Sequence, residues 1–450
     1  MDLYGSLFQH AIFPIWESKL KKRPTLSILR ELEKTQWLSL PELKALQLKE
    51  FRRLVRHAYD HVPYYREAFE RAGIPREIES LEVLPKMPLL SREIAQREHS
   101  RLMSTRAPFP EVKKSTSGST GQAFSFGYDL GSEYWRQAIK FRGYGWAGYS
   151  LGRQTIHLWG IGKPPPWRQK MKIDVDRALK REHYVDCTRR GDADHEKVVT
   201  LIKTLKPHAI VGYASAAVEL AAYVNRKGVR DWGPISVICG ADKLFPHDRE
   251  TLQKAFGKKV FETYGSRETM LVATECEAHA GLHVSSENIL VEVVVREGDR
   301  VRQAAPGEVG EIVVTDLHNY GMPFIRYLNG DLGALAPDEK CACGRELPRL
   351  VSIDGRVAET LRDGKGGKVG GLIFSVCMVQ VASTVRHFQV VQHKDDSVTV
   401  RIVRADGYTD ETERGLLEVY RRYLSVPIRF EYPAEIPLTL AGKRKVIVVE

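Results

Sequence analysis

Apolar residues follow three successive rhythms along this chain. Between residues 24 and 75 they recur at helical spacing, which predicts helices. From about residue 153, short apolar runs alternate with longer amphipathic stretches, which predicts parallel strands covered by helices. These helical stretches lie at 192–206, 213–227 and 246–257. After Gly281, apolar runs succeed one another across turns that carry Gly or Pro, which predicts an antiparallel meander or a small barrel.

A further unit is predicted to begin at Asp354–Arg356. Its later part contains the strand-like runs HFQVVQ and SVTVRIV, a helical stretch near 410–424 and the run IRFEYP. This order is typical of a compact α+β domain. The chain has 450 residues, enough for two or three folded units. We therefore predict an α/β protein with a large domain over residues 1–355 and a small domain over residues 356–450.

The N-terminus combines an apolar helical face with a basic cluster. The residues predicted on that face are Leu3, Tyr4, Leu7, Phe8, Ala11 and Ile12. The segment KLKKR (19–23) follows shortly after. Most apolar helix faces are core, so docking of this face on the protein itself is the favoured interpretation. A weak contact of the N-terminus with an anionic membrane surface is the alternative.

Charge and hydropathy exclude several classes of protein. The formal net charge is +11, but Lys and Arg are spread over the whole chain without interleaved aromatic residues, so nucleic-acid binding is not expected. No apolar run is long enough to cross a membrane, and the N-terminus lacks the pattern of a secretory signal. A cytoplasmic protein is expected.

Residues 113–126, KKSTSGSTGQAFSF, form a stretch unusually rich in hydroxyl groups and glycine. Small residues expose backbone N–H groups, and Ser and Thr add hydroxyl donors, so such a loop can wrap a polyphosphate. It is not a Walker A motif, because no Gly-Lys-Ser/Thr follows at the required spacing. A flexible connection is the alternative interpretation.

The six cysteines do not form a disulfide pattern. Cys276, Cys341 and Cys343, together with His283, offer three thiolates and one imidazole, a set suited to structural Zn²⁺. His279 competes for the imidazole position, and we prefer His283 because it begins a predicted strand. Buried cysteines without a metal are the alternative.

Five polar motifs follow one another in a recognisable order. After the Ser/Gly loop come FETYGSRETM (261–270), FIRYLNGDLGAL (324–335), IDGR (353–356) and AGKRKVIVVE (441–450). This ordered set resembles the adenylate-forming enzyme superfamily. More narrowly, TECEAHAGLH, GMPFIRY, CACGRELP and HFQVVQ resemble the phenylacetate–coenzyme A ligase branch with its capsular-polysaccharide-biosynthesis relatives, and the resemblance spans essentially the whole chain.

The resemblance implies a fold and a set of nucleotide-binding residues. The large domain would combine parallel sheets, flanking helices and a distorted β-barrel, and would bind ATP and the acyl group. The small domain would rotate and carry the catalytic Lys443. Glu268 would reach Mg²⁺, and Arg356 would meet the ribose or a phosphate near the hinge. The other implied nucleotide contacts are Ser117, Ser119, Thr120 and Gly121 at the leaving phosphates, Gly240, Ala241 and Asp242 beside adenine, Tyr264 stacked on adenine with Gly265 and Ser266 next to it, and Asp331 at the ribose hydroxyls.

The resemblance also implies an activity. A carboxylic acid would react with ATP to give an acyl-adenylate, and the acyl group would then pass to the thiol of coenzyme A or of an acyl carrier protein. Trp159, Tyr213 and Phe245 are candidate walls of the acyl pocket, because they lie at or just after predicted strand ends. Three alternatives stay open: transfer to a hydroxyl or amine in polysaccharide or natural-product assembly, transfer of AMP onto a cofactor, and a catalytically silent basic scaffold.

Overall fold

The structure is a computed structural model of the 450-residue chain. It describes residues 2–115, 125–160, 166–187, 191–257, 259–297, 300–356, 360–365, 368–370, 374, 378, 381, 384–437 and 445–450. For residues 115, 354–356, 360, 368 and 370 it describes the backbone alone. The predicted residues Ser117, Ser119, Thr120, Gly121 and Lys443 lie outside the described residues, as does the side chain of Arg356.

Helices make up most of the described chain before residue 105 and alternate with strands after it. The α-helices are α1 Leu3–Leu7, α2 Thr25–Thr35, α3 Leu40–His61, α4 Pro63–Arg71, α5 Arg92–Arg97, α6 His99–Leu102, α7 Leu130–Trp146, α8 Trp167–Lys180, α9 Asp192–Leu205, α10 Ala214–Lys227, α11 Pro246–Phe256 and α12 Asp410–Arg421. Wide helical turns cover Phe8–Ile12 and Ile15–Leu20, and a tighter turn covers Leu81–Lys86. Helix α3 begins after Ser39, where Ser39 and Glu42 form a capping box and Pro41 occupies the first turn.

Strands dominate the rest of the described chain. They are β1 Glu111–Ser115, β2 Ser125–Asp129, β3 Thr155–Trp159, β4 Glu182–Asp186, β5 Ala209–Tyr213, β6 Ser236–Gly240, β7 Val260–Ser266, β8 Met270–Glu275, β9 Leu282–Val284, β10 Ile289–Glu297, β11 Arg300–Gln303, β12 Gly310–Asp316, β13 Tyr327–Leu335, β14 Arg349–Arg356, β15 Thr360–Arg362, β16 Lys368–Gly370, β17 Val385–Gln392, β18 Val398–Arg404, β19 Ile428–Glu431 and β20 Ile447–Val449.

One twelve-stranded sheet carries both predicted strand patterns. Its order is β11-β10-β12-β13-β14-β9-β8-β7-β6-β5-β3-β4. Strands β3 to β7 pair in parallel, as expected for strands joined by helices, and β8 to β14 form the predicted antiparallel meander. The two halves meet where β7 pairs antiparallel with β8. This junction brings the carboxyl end of the parallel half next to the meander.

Each half of the sheet has its own core. Helices α9, α10 and α11 cover the parallel half, with Ile202, Leu220 and Leu252 buried against its strands. Helices α3 and α4 cover the meander, where Phe51 and Phe69 are completely buried. These are the amphipathic helices that the apolar spacing predicts.

The C-terminal residues form a separate four-stranded sheet of order β19-β18-β17-β20. Helix α12 packs on it through Leu416 and Tyr420, which share a core with Val390 and Val400. The predicted α+β character is therefore confirmed. Strand β14 ends at Arg356 and residues 357–359 are outside the description, so the domain boundary at 355/356 stays a prediction.

The N-terminal segment only partly follows its predicted face. Phe8 is buried at 3% exposure, as docking on the protein requires, but Leu3 and Leu7 are exposed. Docking of the whole face is therefore wrong. Leu3 and Leu7 belong to α1, before the wide turns, and are exposed because Tyr4 and Phe8 are the side chains that pack inward. After Phe8 the turns widen: Phe13 donates its N–H to the Phe8 carbonyl, five residues back, so the period there exceeds the 3.6 residues of an α-helix. No helix among the described residues has the length and hydropathy needed to cross a bilayer.

Candidate active site

The turn between β7 and β8 is built around a close backbone approach. At Gly265 a Cβ atom would lie 1.7 Å from the carbonyl oxygen of Met270, so only glycine fits. The strand pairing shifts register between Tyr264 and Gly265, and Met270 has a φ of 60°. The bulge re-aims the side chains of Tyr264 and Ser266 at the edge of the sheet.

Tyr264 and Asp331 meet across this edge. The Tyr264 hydroxyl donates to Asp331 Oδ2 at 2.8 Å and accepts from Asn329 Nδ2 at 2.6 Å. Asn329 Oδ1 in turn accepts from the Asp331 N–H at 3.2 Å. Tyr264 is only 7% exposed, so this network fixes both the ring and the carboxylate. Two residues implied at the nucleotide are thus in direct contact, and Asn329 is an addition that the sequence analysis missed.

Glu268 is held from two sides in the same turn. Its carboxylate Oε1 lies 3.4 Å from the Tyr327 hydroxyl, and burial raises the pKa of Tyr327 so far that this hydroxyl stays protonated and donates. Its backbone carbonyl accepts from Arg136 Nη2 at 2.7 Å. Arg136 also pairs with Asp316 at 2.9 Å, and both side chains are almost fully buried. Glu268 is therefore a pre-positioned carboxylate, with 7% exposure.

The strands that flank the Ser/Gly loop lie close to this turn. Ser115 pairs with Ser125, so the two ends of segment 116–124 are neighbours. The ring of Tyr128 in β2 lies 5.2 Å from the Lys114 ammonium and 4.0 Å from the Arg136 guanidinium. Arg136 also binds the backbone of Glu268. The side chains of Tyr128 and Arg136 therefore connect the base of the loop to the turn that carries Glu268. Burial lowers the pKa of Lys114.

Residues 240–242 follow the end of β6, next to β7. At Gly240 a Cβ atom would lie 2.7 Å from Thr263 Oγ1, and Ala241 has a φ of 65°. Asp242 Oδ2 accepts a hydrogen bond from Ser215 at 2.7 Å. The backbone therefore turns sharply at the carboxyl end of the sheet, where open α/β sheets bind ligands.

Two of the three predicted pocket walls are in direct contact. Trp159 and Tyr213, from the ends of β3 and β5, pack edge to face with ring centres 4.9 Å apart. Phe245 stacks on His247 instead, with a centroid distance of 5.7 Å. Trp159, Tyr213 and Phe245 are all partly exposed, so all three stay candidates for an acyl wall.

The four predicted metal ligands come together. One ligand atom from each of Cys276, His283, Cys341 and Cys343 lies within 4.8 Å of every other. Cys276 Sγ is 3.9 Å from Cys341 Sγ, and Cys343 Sγ is 3.3 Å from His283 Nε2. A tetrahedral zinc ion with Zn–S bonds of about 2.3 Å would hold its sulfur atoms about 3.8 Å apart. The spacing of the cluster fits such an ion.

The protonation of the cluster also fits a metal. His283 Nδ1 lies 3.1 Å from the Leu347 carbonyl, to which only an N–H can donate, so Nε2 faces the thiols with its lone pair. Burial lowers the pKa of His283 to about 4, which keeps the ring neutral. Burial raises the pKa of Cys276 to about 12, so a cation is needed to hold its thiolate. His279 lies elsewhere, with Nδ1 2.9 Å from Glu275.

Comparison with known proteins shows which families this chain is similar to. The model of the CapK C-terminal domain family matches residues 361–450. A phenylacetate–coenzyme A ligase of Thermus thermophilus is 28% identical over 380 residues, which cover 83% of this chain and 80% of that protein.

Solved structures of a 2-hydroxyisobutyryl-CoA ligase share the fold at 18% sequence identity. In the postadenylation state, in complex with R3-HIB-AMP, that ligase superposes with a TM-score of 0.74 and covers 93% of this chain and 91% of its own. In the thioesterification state, in complex with 2-HIB-AMP and CoA, it superposes with a TM-score of 0.58 and covers 93% and 92%. The chain is thus similar in sequence to phenylacetate–coenzyme A ligases over most of its length, it shares the fold of a solved acyl-CoA ligase, and its residues 361–450 match the CapK C-terminal domain family.

Proposed function

We propose that this chain is an AMP-forming ligase that activates a carboxylic acid with ATP and transfers the acyl group to the thiol of coenzyme A. The observation that carries the proposal is the convergence of Tyr264, Asp331 and Glu268 at the edge where the parallel strands end. Tyr264 and Glu268 belong to one turn, and Asp331, 67 residues from Tyr264, contacts the Tyr264 hydroxyl there, which is the arrangement that a nucleotide site needs. The relatives named above, which are acid–CoA ligases, support the same chemistry.

In the first half-reaction the acid's carboxylate attacks the α-phosphate of ATP, and pyrophosphate leaves. Asp331 accepts hydrogen bonds from the ribose hydroxyls, as an ionised carboxylate can. Tyr264 offers a ring face to adenine, and the backbone at Gly240, Ala241 and Asp242 borders the same base. Gly265 and Ser266, which follow Tyr264, lie next to the same base.

Negative charge grows on the phosphates during this step, so donors and cations do most of the work. Ser117, Ser119, Thr120 and Gly121 cradle the leaving phosphates beside Lys114. Glu268 holds Mg²⁺, for which a buried carboxylate oxygen is a suitable ligand, and the ion neutralises phosphate charge when bound. Lys443 bridges the α-phosphate and the attacking carboxylate.

In the second half-reaction the domain over residues 356–450 rotates, with Arg356 near the hinge, and admits the acceptor thiol. Coenzyme A is the acceptor we favour, and an acyl carrier protein offers the same thiol. Trp159, Tyr213 and Phe245 line the acyl end of the cleft. The expected cytoplasmic setting, in which ATP and coenzyme A are at hand, stays a prediction.

A structural Zn²⁺ completes the proposal. The three thiols and the Nε2 lone pair of His283 form a closed four-ligand set without an open position for substrate. The ion would tie Cys276 and β9 to the loop between β13 and β14, and so brace the strand that carries Asp331. Its role would be stability rather than catalysis.

Exchange of labelled pyrophosphate into ATP, measured with a panel of aryl, aliphatic and hydroxy acids, tests the function. One acid should support exchange, and Lys443→Ala should lower its rate about 100-fold or more. Lys445→Ala, two residues away, is the matched control and should exchange like wild type. Free AMP should accumulate once coenzyme A is added.

Two results contradict the proposal. A stable adenylylated product would indicate a nucleotidyl transferase. No exchange with any acid would indicate a scaffold. Where exchange occurs, a Lys443→Ala variant as active as wild type would contradict the catalytic role of Lys443.

A further inference from the structure

Helix α8 turns its apolar face toward solvent. Trp167 is 70% exposed and Met171 55%, and Val175 and Leu179 continue the same row at intervals of four residues. We call these four residues the outer stripe. None of the fourteen residues of α8 is buried, although it connects two parallel strands of the sheet.

The inward face of α8 is largely polar. Its half-buried residues are Ile173, Arg177 and Lys180, which lie opposite the outer stripe on a helical projection. Arg177 packs its guanidinium 3.8 Å from the Tyr184 ring. A helix that packs only on its own protein has the reverse arrangement, with apolar residues inward. The outer stripe is therefore built for contact with something outside this chain.

The N-terminal segment presents a second apolar face of the same kind. Phe8 and Phe13 anchor the segment in the core, while six other apolar residues point outward. These six, which we call the N-terminal face, are Leu3, Leu7, Ile12, Ile15, Trp16 and Leu20. Of the eighteen large apolar side chains exposed in the described chain, ten belong to the outer stripe or the N-terminal face, so they are concentrated in two elements.

These two elements touch. The Tyr4 hydroxyl donates to the Leu179 carbonyl at 2.7 Å, and the Tyr4 ring lies under the guanidinium of Arg181, 4.0 Å away. Arg181 also pairs with Asp2 at 3.1 Å. Asp2 and Tyr4, at the start of the N-terminal segment, thus hold the C-terminal end of α8, where the outer stripe ends at Leu179.

Basic side chains border both faces. Residues 2–23 and 167–181 together contain ten Lys or Arg residues and four Asp or Glu residues. Each exposed tryptophan carries a cation: the Lys21 ammonium lies 4.8 Å from the Trp16 ring, and the Arg168 guanidinium 5.3 Å from the Trp167 ring. Tryptophan and long basic side chains are paired in this way at the boundary between hydrocarbon and headgroups.

We infer that the outer stripe and the N-terminal face form one surface that docks on an anionic lipid bilayer. Charge favours this occupant, because the excess of basic side chains complements acidic headgroups and apolar side chains can enter the acyl boundary between them. A second copy of the chain would bring the same positive charge to the interface and would be repelled. The surface lies on the bilayer without crossing it, and it contains none of the residues of the nucleotide site.

Sedimentation of the full-length protein with vesicles tests this inference. Wild type should bind phosphatidylcholine vesicles that contain phosphatidylglycerol, and bind pure phosphatidylcholine vesicles at least about tenfold more weakly. Raising the salt from 0.15 M to 1 M shortens the Debye length from about 8 Å to about 3 Å and should weaken binding to the acidic vesicles.

Two variants address the two elements separately. Trp167→Ser/Met171→Ser on α8 and Leu3→Ser/Leu7→Ser on the N-terminal segment should each weaken binding about tenfold or more, because each removes two large apolar groups from the contact. All four side chains are exposed, so both variants should melt like wild type. Tyr423→Ser, which removes a 43% exposed aromatic ring from the C-terminal sheet domain, is the matched control and should bind fully.

Three outcomes would overturn the inference. Wild type would sediment equally with neutral and acidic vesicles, or both variants would bind like wild type. In the third outcome, analytical ultracentrifugation would show that wild type is a dimer and that Trp167→Ser/Met171→Ser is a monomer. The surface would then be an interface between two copies of the chain. Pyrophosphate exchange in solution should be unchanged in all variants, so this test is independent of the proposed enzyme.

Discussion

Replacement of Gly265 by alanine is expected to damage both the stability of the large domain and its nucleotide site. Gly265 lies in β7 directly after Tyr264, where the chain turns toward β8. A Cβ atom there would be 1.7 Å from the Met270 carbonyl oxygen, 2.8 Å from the Met270 carbonyl carbon and 3.1 Å from the Leu271 Cα atom. All three are backbone atoms, so no side-chain rotation can relieve the contact.

The size of the effect follows from these distances. The separation from the carbonyl oxygen would have to grow from 1.7 Å to the 3.4 Å of an ordinary contact, which forces β8 away from β7. Overpacking commonly costs about 1–3 kcal/mol, and a backbone clash on this scale belongs at the upper end or beyond. A loss of about 3 kcal/mol lowers the melting temperature of a domain of this size by about 5 °C or more.

The same shift displaces the proposed adenine ring contact. Tyr264 is the neighbour of Gly265, and Glu268 lies three residues further in the same turn. A misplacement of about 1 Å in a catalytic site costs about 100-fold in rate. We therefore expect kcat/KM for ATP in pyrophosphate exchange to fall about 100-fold in Gly265→Ala.

Gly145→Ala is the matched control. Gly145 lies near the end of α7 in the same large domain, and nothing lies within 4 Å of the Cβ atom it would gain. Alanine is favoured over glycine in a helix by up to about 1 kcal/mol, so this variant should be as stable as wild type or slightly more stable. If Gly265→Ala melted and exchanged pyrophosphate like Gly145→Ala, the close approach of β7 and β8 and its role in the site would be refuted.

Three further changes probe the metal cluster, the ribose contact and a titrating carboxyl. Purified wild type should contain about one zinc ion per chain, and Cys341→Ser/Cys343→Ser should lose it. Because burial raises the pKa of the Cys276 thiol to about 12, zinc binding should release protons and should become tighter as pH rises. A folded wild type free of metal would contradict the site. Asp331→Asn should raise KM for ATP about 10-fold to 100-fold, because it weakens one or two hydrogen bonds to a charged group. KM for the acid should change little. An equal rise of both KM values would argue against a ribose contact. Burial raises the pKa of Glu262 from 4.5 in the unfolded chain to about 7 in the folded protein, so the protonated carboxyl stabilises the fold fully below pH 4.5 and this stability is lost as pH rises through 7. Glu262→Gln should flatten that part of a profile of melting temperature against pH. An unchanged slope in the variant would contradict the raised pKa.

In the N-terminal segment, sequence periodicity did not predict correctly which side chains are buried. The expected face assumes 3.6 residues per turn throughout, but the segment widens at Phe8–Ile12 and Ile15–Leu20. The wide turns bury Phe13, which the expected face omits. Leu3 and Leu7, in α1, lie in solvent because Tyr4 and Phe8 pack inward in their place. Local spacing cannot reveal such turns, because packing on α7 and on Gly152 selects which side chains go inward.

The candidate site shows a similar division. The motifs around Tyr264 and Asp331 stand out as polar residues at strand ends, and the cysteines stand out by type. Arg136 and Asp316 do not, because a buried ion pair between a helix and a distant strand leaves no mark in either local pattern. Asn329 could not be found from strand alternation either, because the pairing of β13 with β12 shifts register between Leu328 and Leu332 and Gly330 has a φ of 84°.

The sequence alone determined the strand and helix rhythm of both halves of the large sheet, the α+β character of the C-terminal unit and the order of the polar motifs, because each depends on residues close together in the chain. The tertiary structure decided which of those residues meet. Strand order brings β7 beside β8 but leaves three strands between β7 and β13, so Asp331 reaches Tyr264 only because the meander curves. The loop between β13 and β14 carries two thiols to His283 rather than to His279. These contacts join residues about sixty positions apart, so they follow from the packing and pairing of the whole sheet and not from any local pattern.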